Sequence, residues 1–419
     1  MPVAARRAGV VVVGGGLAGA MAAAHLARAG VPVVVCEQSV RPQPRVCGEF
    51  LSFEGAALLR DIGIDLPAAA PAIATVAVHG PHRTLVSRLP GGNVGVSRLW
   101  LDEALRQRAG ELGASIHRGV TVQRIMPRPG SGALVQTSDG DWDAEAVVVA
   151  TGKRDLRGVA ARERVSDVVG VQLHVSVTPE VRVRLQGRVE LWVGAGAYGG
   201  AALVDGTTLN VSCVIAPAVA RDPGLVASHL MPALMRRHTA AARVLAGIDW
   251  PETRMTAVAP VPYGYIRPEA PGPGIFCVGD QLAVIPSLTG DGMTIALASG
   301  REAGRLLASG WGKGWASARR DAGAAGGHWE ADPGRAMRLA EASRQSHECM
   351  AQAFRRQLRV AVWLQRLFAQ PRVLEGLLRA GAWLPPVVPL LMRATRVPHG
   401  LRAREARRAP AGSGRTIVP

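Results

Sequence analysis

Val10-Val11-Val12-Val13-Gly14-Gly15-Gly16-Leu17-Ala18-Gly19 decides the fold, together with the helix-patterned Ala20 to Gly30, the apolar run Val31 to Cys36 and the acid Glu37. The order is strand, glycine turn, helix, strand, acid. Gly14 permits a tight turn, Gly16 lets backbone N–H groups approach a pyrophosphate, and Gly19 allows close helix–strand packing. Leu17 and Ala18 open the helix, whose unpaired N–H groups and dipole favour an anion. Glu37 lies about 20 residues on, where an acid accepts from a ribose 2′-OH. An acid there disfavours a 2′-phosphate, so NADP is not expected at this turn. Arg6-Arg7 before the apolar run imitates an export leader, but three consecutive glycines interrupt that run. Met1 to Gly9 therefore reads as a short basic lead-in to mature protein.

The chain has 419 residues, enough for a large core shared by two or three structural units. Its five cysteines (Cys36, Cys47, Cys213, Cys277, Cys349) are scattered, with no CxxC or Cys/His cluster. Neither a disulfide framework nor a metal site is expected, and a reducing cytoplasm is the default compartment. No apolar run is long enough for a membrane span. The net charge is +17, and the only lysines among 49 basic residues are Lys153 and Lys313. Arginines are spread through every segment without a nucleic-acid motif, so a solvated basic surface or an anionic membrane face fits better than nucleic acid.

Outward from the fingerprint, Arg41 to Gly48 is a proline-broken loop and Glu54 to Asp61 a short helix stopped at Gly63. Ile73 to Arg88 is strand material, Pro90 to Asn93 a turn, Leu99 to Gly110 a helix, and Ala144 to Ala150 a buried strand. Alternation in Val171–Val175, Val181–Leu185 and Val189–Val193 predicts strands of an antiparallel sheet. The expected architecture is α/β: a Rossmann-type nucleotide-binding domain, an inserted antiparallel β-sheet substrate domain and a C-terminal helical segment. Residues 1–75, 98–155 and 271–310 are assigned to the nucleotide unit, and 76–97 and 156–270 to the substrate sheet. A helical cap spans 311–401 and a basic disordered tail 402–419.

Four further segments make this pattern specific. Ile275 to Asp280, followed by Pro286-Ser287-Leu288-Thr289-Gly290-Asp291-Gly292-Met293, resembles the second FAD signature of flavoproteins of the p-hydroxybenzoate hydroxylase fold. The resemblance implies that Gly279 and Asp280 contact FAD near its ribityl and pyrophosphate groups. It also places the helix start at Gly290 to Met293 against the flavin edge that becomes anionic on reduction. Val147 to Gly152 resembles the family's Ala-Thr-Gly strand end, implying FAD contacts at Thr151 and Gly152. Val96-Ser97-Arg98-Leu99 places an arginine, Arg98, where the family has one against FAD, and a strand around Val122 beside the adenine. The fourth segment, Arg45-Val46-Cys47-Gly48-Glu49, resembles the Cys-Gly-acid loop of the geranylgeranyl reductase branch. There the cysteine lies beside the isoalloxazine ring; Arg45, Cys47, Gly48 and Gln38 complete the implied cofactor set. Two readings fit Cys47: a thiol that supplies a proton, or a small buried apolar group.

The chain also departs from these patterns. Aromatic hydroxylases of this fold carry an Asp-Gly motif after the Ala-Thr-Gly strand; here Lys153-Arg154-Asp155-Leu156 follows instead. That weakens the NADPH-docking hydroxylase reading, and the absence of a Trp-x-Trp-x-Ile-Pro stretch weakens a halogenase reading further. Lys153 is expected at the nucleotide rim or in solvent. All three tyrosines, Tyr198, Tyr263 and Tyr265, fall in Gly/Pro-rich loops near the implied flavin segments. Tyr198 is, with Cys47, a catalytic candidate. Phe354 to Phe368, Val373 to Trp383 and Val387 to Val397 place apolar residues at helical spacing among arginines and tryptophans, which suits a membrane surface or packing on the protein body.

The expected function is FAD-dependent oxidoreduction of a lipophilic or aromatic small molecule, with reduction of a carbon–carbon double bond leading. Monooxygenation of an aromatic or polyketide-type substrate is the runner-up, and a flavoprotein electron carrier is the reading from another class. NAD(P)H and an electron-donor protein both fit as reductant. The expected location is the cytoplasm, with peripheral association at the inner membrane face as the alternative.

Overall fold

Val10 to Val12 are fully buried because strand β1 (Arg6–Val13) lies mid-sheet, with parallel neighbours on both edges and layers on both faces. Helix α1 (Leu17–Arg28) follows the glycine turn, and strand β2 (Val33–Glu37) returns beside β1. The computed structural model describes residues 5–80, 82–129, 132–163, 166–194, 196–222, 230–251, 255–311, 333–383 and Arg396. The expected tail 402–419, Met1 to Ala4, Lys313 and all of Val387 to Val397 except Arg396 lie outside the described residues.

The chain continues through β3 (Phe50–Leu51), α2 (Phe53–Asp61), β4 (Ala72–His79), β5 (Thr84–Gly95) and α3 (Arg98–Glu111). Next come β6 (Ser115–Arg118), β7 (Val122–Pro127), β8 (Ala133–Thr137), β9 (Trp142–Val149) and β10 (Val168–Ser176). Helix α4 (Pro179–Leu185) leads to β11 (Arg188–Gly194), β12 (Ala197–Leu203) and β13 (Thr208–Ile215). Three short helices follow, α5 (Pro217–Ala220), α6 (Leu230–Arg237) and α7 (Thr239–Val244), then β14 (Thr256–Val261), β15 (Ile275–Cys277) and α8 (Gly292–Trp311). A long helix, Pro333–Phe368, and a terminal helix, Pro371–Trp383, close the described chain.

One sheet runs β6-β2-β1-β9-β8-β7 with β15 also paired to β9; β6, β2, β1, β9 and β15 are mutually parallel. The other runs β14-β10-β13-β12-β11-β4-β5-β3 and is antiparallel except at β11–β4. Its strands come from separated stretches of chain, so the substrate sheet is inserted into the nucleotide unit. Helices α1 and α8 cross tightly because α8 carries glycines at the contact. A Cβ on Gly300 would stand 2.2 Å from the Ala18 carbonyl oxygen, and one on Gly304 2.8 Å from that of Ala22.

Two local expectations are corrected. Val181 to Leu185 is helical rather than a strand: Thr178 caps the helix start by accepting from Val181 N, and Pro179 supplies a first-turn φ. Five alternating residues were too few to outweigh these start signals. Pro90 to Asn93 is not a turn but lies inside β5, where the register with β4 shifts between Ile73 and Thr75. Gly92, at φ +84, and the Asn93 amide donating to the Pro90 carbonyl absorb the irregularity.

On the long helix, Phe354, Leu358, Ala361 and Leu364 are buried against the protein body, so this apolar stripe is core. Among the described residues, no helix is long and apolar enough to cross a membrane.

Candidate cofactor and active site

A cavity with about 1580 Å³ of empty space, open mouth included, lies between the two sheets. Gly16, Leu17 and Ala18 at the start of α1 and Gly290, Gly292 and Met293 at the start of α8 both line it. Two helix N-termini therefore bring unpaired N–H groups to one space, an arrangement suited to an anionic ligand. Cys47, Gly48, Arg98, Gly152, Tyr198, Gly279 and Asp280 line it as well.

Several of these glycines face open space rather than neighbouring protein. A Cβ on Gly152 or Gly292 would meet no atom within 4 Å, one on Gly16 only Arg98 Nη2 at 3.9 Å, and one on Gly48 only Ser212 Oγ at 4.0 Å. At Gly16, Gly48 and Gly292 packing does not require glycine, whereas an extended ligand lying close to the backbone does; Gly152, at φ +62, also needs glycine for its left-handed backbone. Gly14 and Gly19 are different. Gly14 sits at φ +101 with a Cβ position 2.6 Å from the Ala150 carbonyl oxygen, and a Cβ on Gly19 would fall 1.9 Å from the Gly14 carbonyl oxygen. They build the turn, and the other four leave room beside it. The residues present fit FAD.

The remaining expected contacts do not line this cavity. Glu37 is buried, and its carboxylate accepts from Gly15 N at 2.8 Å and Ser39 N at 2.9 Å, holding the glycine turn to the end of β2. Arg45 approaches that carboxylate at 3.7 Å, and Gln38 accepts from Arg154. Val122 opens β7 opposite Thr137, Thr151 donates to the Arg154 carbonyl at 2.7 Å, and Pro286 precedes the Ser287–Thr289 turn. The Asp291 side chain, fully buried, pairs with Arg396 at 3.0 Å, and Arg396 also lies over the Phe50 ring. Residue 396 thus returns to the start of α8.

The wall near Cys47 is chemically distinct. Burial pushes the Cys47 thiol up against the opposing pull of Arg98, so the group stays protonated at neutral pH. Arg98 is held by Asp102 through bonds of 2.8 and 3.0 Å, which with the nearby Cys47 keep its charge firm despite burial. Lys153 lines the cavity and pairs with Asp280 at 3.0 Å, so it is neither remote from the site nor solvated outright. Burial works against its charge, but Asp280, Tyr263 and Cys47 outweigh burial and raise its pKa. Tyr198 and Tyr263 both bond to Ser287 Oγ, and burial raises both phenols, so this cluster stays neutral.

In the sequence Glu49 is only the acid of the Cys-Gly-acid loop, with no role assigned to it. It is completely buried at φ +53; its Oε1 accepts from Arg98 N at 2.7 Å and its Oε2 lies 2.6 Å from His174 Nε2. Asn210 donates to the Cys47 carbonyl at 2.9 Å, and Glu49 N to Cys47 Sγ at 3.4 Å. The thiol loop is thus pinned from both sides. Its only sequence signal was an acid directly after Cys-Gly.

A family model described as an FAD binding domain matches residues 7–140. The chain is an FAD-dependent oxidoreductase with the fold of the p-hydroxybenzoate hydroxylase flavoproteins. Menaquinone reductase of Mycolicibacterium smegmatis is 28% identical over 335 residues, covering 73% of this chain and 77% of that protein. Protein FixC of Salmonella typhi is 27% identical over 343 residues, 71% of this chain and 76% of that one. Among solved structures, a geranylgeranyl bacteriochlorophyll reductase-like protein from Thermoplasma acidophilum superposes with TM-score 0.67 at 16% identity, covering 95% of both chains. A flavin-dependent brominase superposes with TM-score 0.71 at 17% identity, covering 95% of this chain and 96% of that one. These two likenesses carry the fold alone. FAD is the cofactor, and the cavity between the sheets is where this oxidoreductase's glycine cradle fits it.

Proposed function

We propose that this flavoprotein reduces a carbon–carbon double bond in a lipophilic, isoprenoid-bearing substrate. The observation that carries the reading is the protonated Cys47 thiol facing a cavity whose other wall is apolar, built from Phe50, Val76, Leu89, Val189 and Leu191. FAD held against Gly16, Gly48, Gly152 and Gly292 would, when reduced, supply a hydride equivalent to one alkene carbon, and the second carbon would need a proton. Cys47 is placed to give it, and Arg98 stabilises the thiolate left behind. The apolar wall orients an uncharged chain and excludes water, and the neutral Tyr198–Ser287–Tyr263 cluster offers hydroxyl groups to a polar head. The menaquinone reductases support the same substrate class, since menaquinone is a quinone with an isoprenoid tail.

The test is anaerobic. Holoprotein reduced with dithionite is mixed with a short-chain menaquinone or with geranylgeraniol, and flavin absorbance is followed while the product is analysed for loss of one double bond. Reoxidation without oxygen, accompanied by a saturated product, is the expected result. Reoxidation only on admitting oxygen, with a hydroxylated product, would replace the reading with monooxygenation. Reoxidation only by a protein acceptor would replace it with electron carriage.

A further inference from the structure

The long helix Pro333–Phe368 divides into two electrostatic halves. Toward its start the arginines are paired: Arg335 with Glu145 at 3.0 Å, and Arg344 with Glu341 and Glu348 at 2.6 and 2.7 Å. Beyond Glu348 no acid occurs until Glu375, and Arg355, Arg356, Arg359 and Arg366 are exposed. Among the described residues, none of these four has an ion pair. At about 100° per residue they share one face of the helix, within a sector roughly 100° wide, and Trp363 falls inside it between Arg359 and Arg356. Trp363 is 55% exposed, although Phe354, Leu358 and Leu364 on the opposite face are buried. An unpaired arginine stripe around one exposed tryptophan matches the headgroup region of an anionic bilayer: arginines meet phosphates, and the amphipathic indole sits at the interface.

A second cavity, with about 810 Å³ of empty space on the same measure, lies directly behind this segment. Gln365 and Phe368 of the long helix and Leu374 of the terminal helix form one side, and Val193 and Ala197 of the substrate sheet the other. Tyr198, Val214 and Leu288 line both cavities, so the two spaces meet at these side chains. We propose that the outer face of the long helix docks on an anionic lipid bilayer, and that the second cavity takes the tail of a lipophilic substrate drawn from it. The tail assignment rests on the reductase reading above; the docking does not. Because the helix's apolar stripe is spent on the protein core, attachment is electrostatic with a single aromatic anchor, hence reversible and salt-sensitive.

The experiment uses full-length holoprotein and sedimented vesicles of phosphatidylcholine alone or with one-third phosphatidylglycerol. Binding is expected only with phosphatidylglycerol, at low salt, and at least tenfold weaker in the combined Arg355→Gln, Arg359→Gln, Arg366→Gln, Trp363→Ala variant, which should retain its flavin. Wild-type protein that fails to sediment, or a variant that sediments as well as wild type, overturns the docking. For the cavity, Ala197→Phe should raise KM for a long-tailed substrate in vesicles at least fivefold and leave a water-soluble short-chain analogue unchanged. Equal kinetics with both substrates overturns the tail site. If neither substrate reoxidises the flavin in wild type, the reductase reading and the tail site fall together, whereas the sedimentation result still decides the docking.

Discussion

His174 Nε2 and Glu49 Oε2 lie 2.6 Å apart, joining the substrate sheet to the loop that carries Cys47. Glu49 is wholly buried, and His174 keeps 21% of its side chain exposed. Removing the imidazole leaves a buried carboxylate with Arg98 N as its remaining direct partner here, which is costlier than changing the carboxylate itself. His174→Ala should therefore destabilise the protein by about 2–3 kcal/mol, below the usual value for a fully buried pair because His174 is partly exposed. Glu49→Gln should cost less, since the amide oxygen still accepts from Arg98 N and its NH₂ can donate to a neutral imidazole. Urea unfolding of both variants measures the order; a Glu49→Gln loss equal to or larger than that of His174→Ala would contradict it.

The glycines of the first turn should separate into two classes. Gly16→Val places its side chain in the cavity, so the apoprotein should fold with near wild-type stability but purify with little flavin. Gly19→Ala drives a Cβ into the Gly14 carbonyl, 1.9 Å away, and should lower stability along with flavin content. The ratio of flavin to protein absorbance, read beside thermal unfolding, distinguishes them. A fully yellow Gly16→Val protein would place the cofactor elsewhere.

Asp280→Ala should weaken flavin retention more than it lowers stability. Asp280 is partly exposed to the cavity and its partner, Lys153, can turn toward solvent through the same opening. Dialysis at rising chaotrope concentration, with flavin release and unfolding followed together, gives the comparison. Release that coincides with unfolding in the variant would deny Asp280 a role at the cofactor.

His25, in α1, is buried, and burial followed by the neighbouring Arg28 lowers its pKa to about 4. In the unfolded chain it titrates near 6.5, so between these values the unfolded state binds the extra proton. His25's contribution is intact above pH 6.5 and is lost as pH falls toward 4, up to about 3 kcal/mol. His25→Gln should remove that slope. Unfolding free energies of both proteins at several pH values between 7 and 4 test it, and parallel curves would contradict it.

The cofactor half of the site was legible because turn chemistry is local. Gly14, Gly16 and Gly19 fall within one turn, and the apolar runs beside them allow only strand and helix. The catalytic half was less legible because its partners meet only in the folded chain. Glu49 and His174 are 125 residues apart, Tyr198 and Ser287 are 89 apart, and Asp291 and Arg396 are 105 apart. The C-terminal helices show the same limit from the other side. Periodicity gave the apolar stripe of the long helix Pro333–Phe368 but could not say whether lipid or protein covers it, and Leu358 and Leu364 are buried on the protein. Val181 to Leu185 failed for a smaller reason: a Thr-Pro helix start outweighed five residues of alternation.

Cys47 is the proton source of the proposed reduction, and one measurement tests it: the anaerobic rate at which a short-chain isoprenoid alkene reoxidises the reduced flavin in wild type, Cys47→Ala and Cys47→Ser. With the thiol as proton donor, all three proteins should bind FAD equally. Cys47→Ala should be slower by about tenfold or more, as for a lost general acid, and Cys47→Ser should recover part of the rate. Wild-type rates in both variants would show that Cys47 only packs against the site, and the proposed chemistry would lose its proton source.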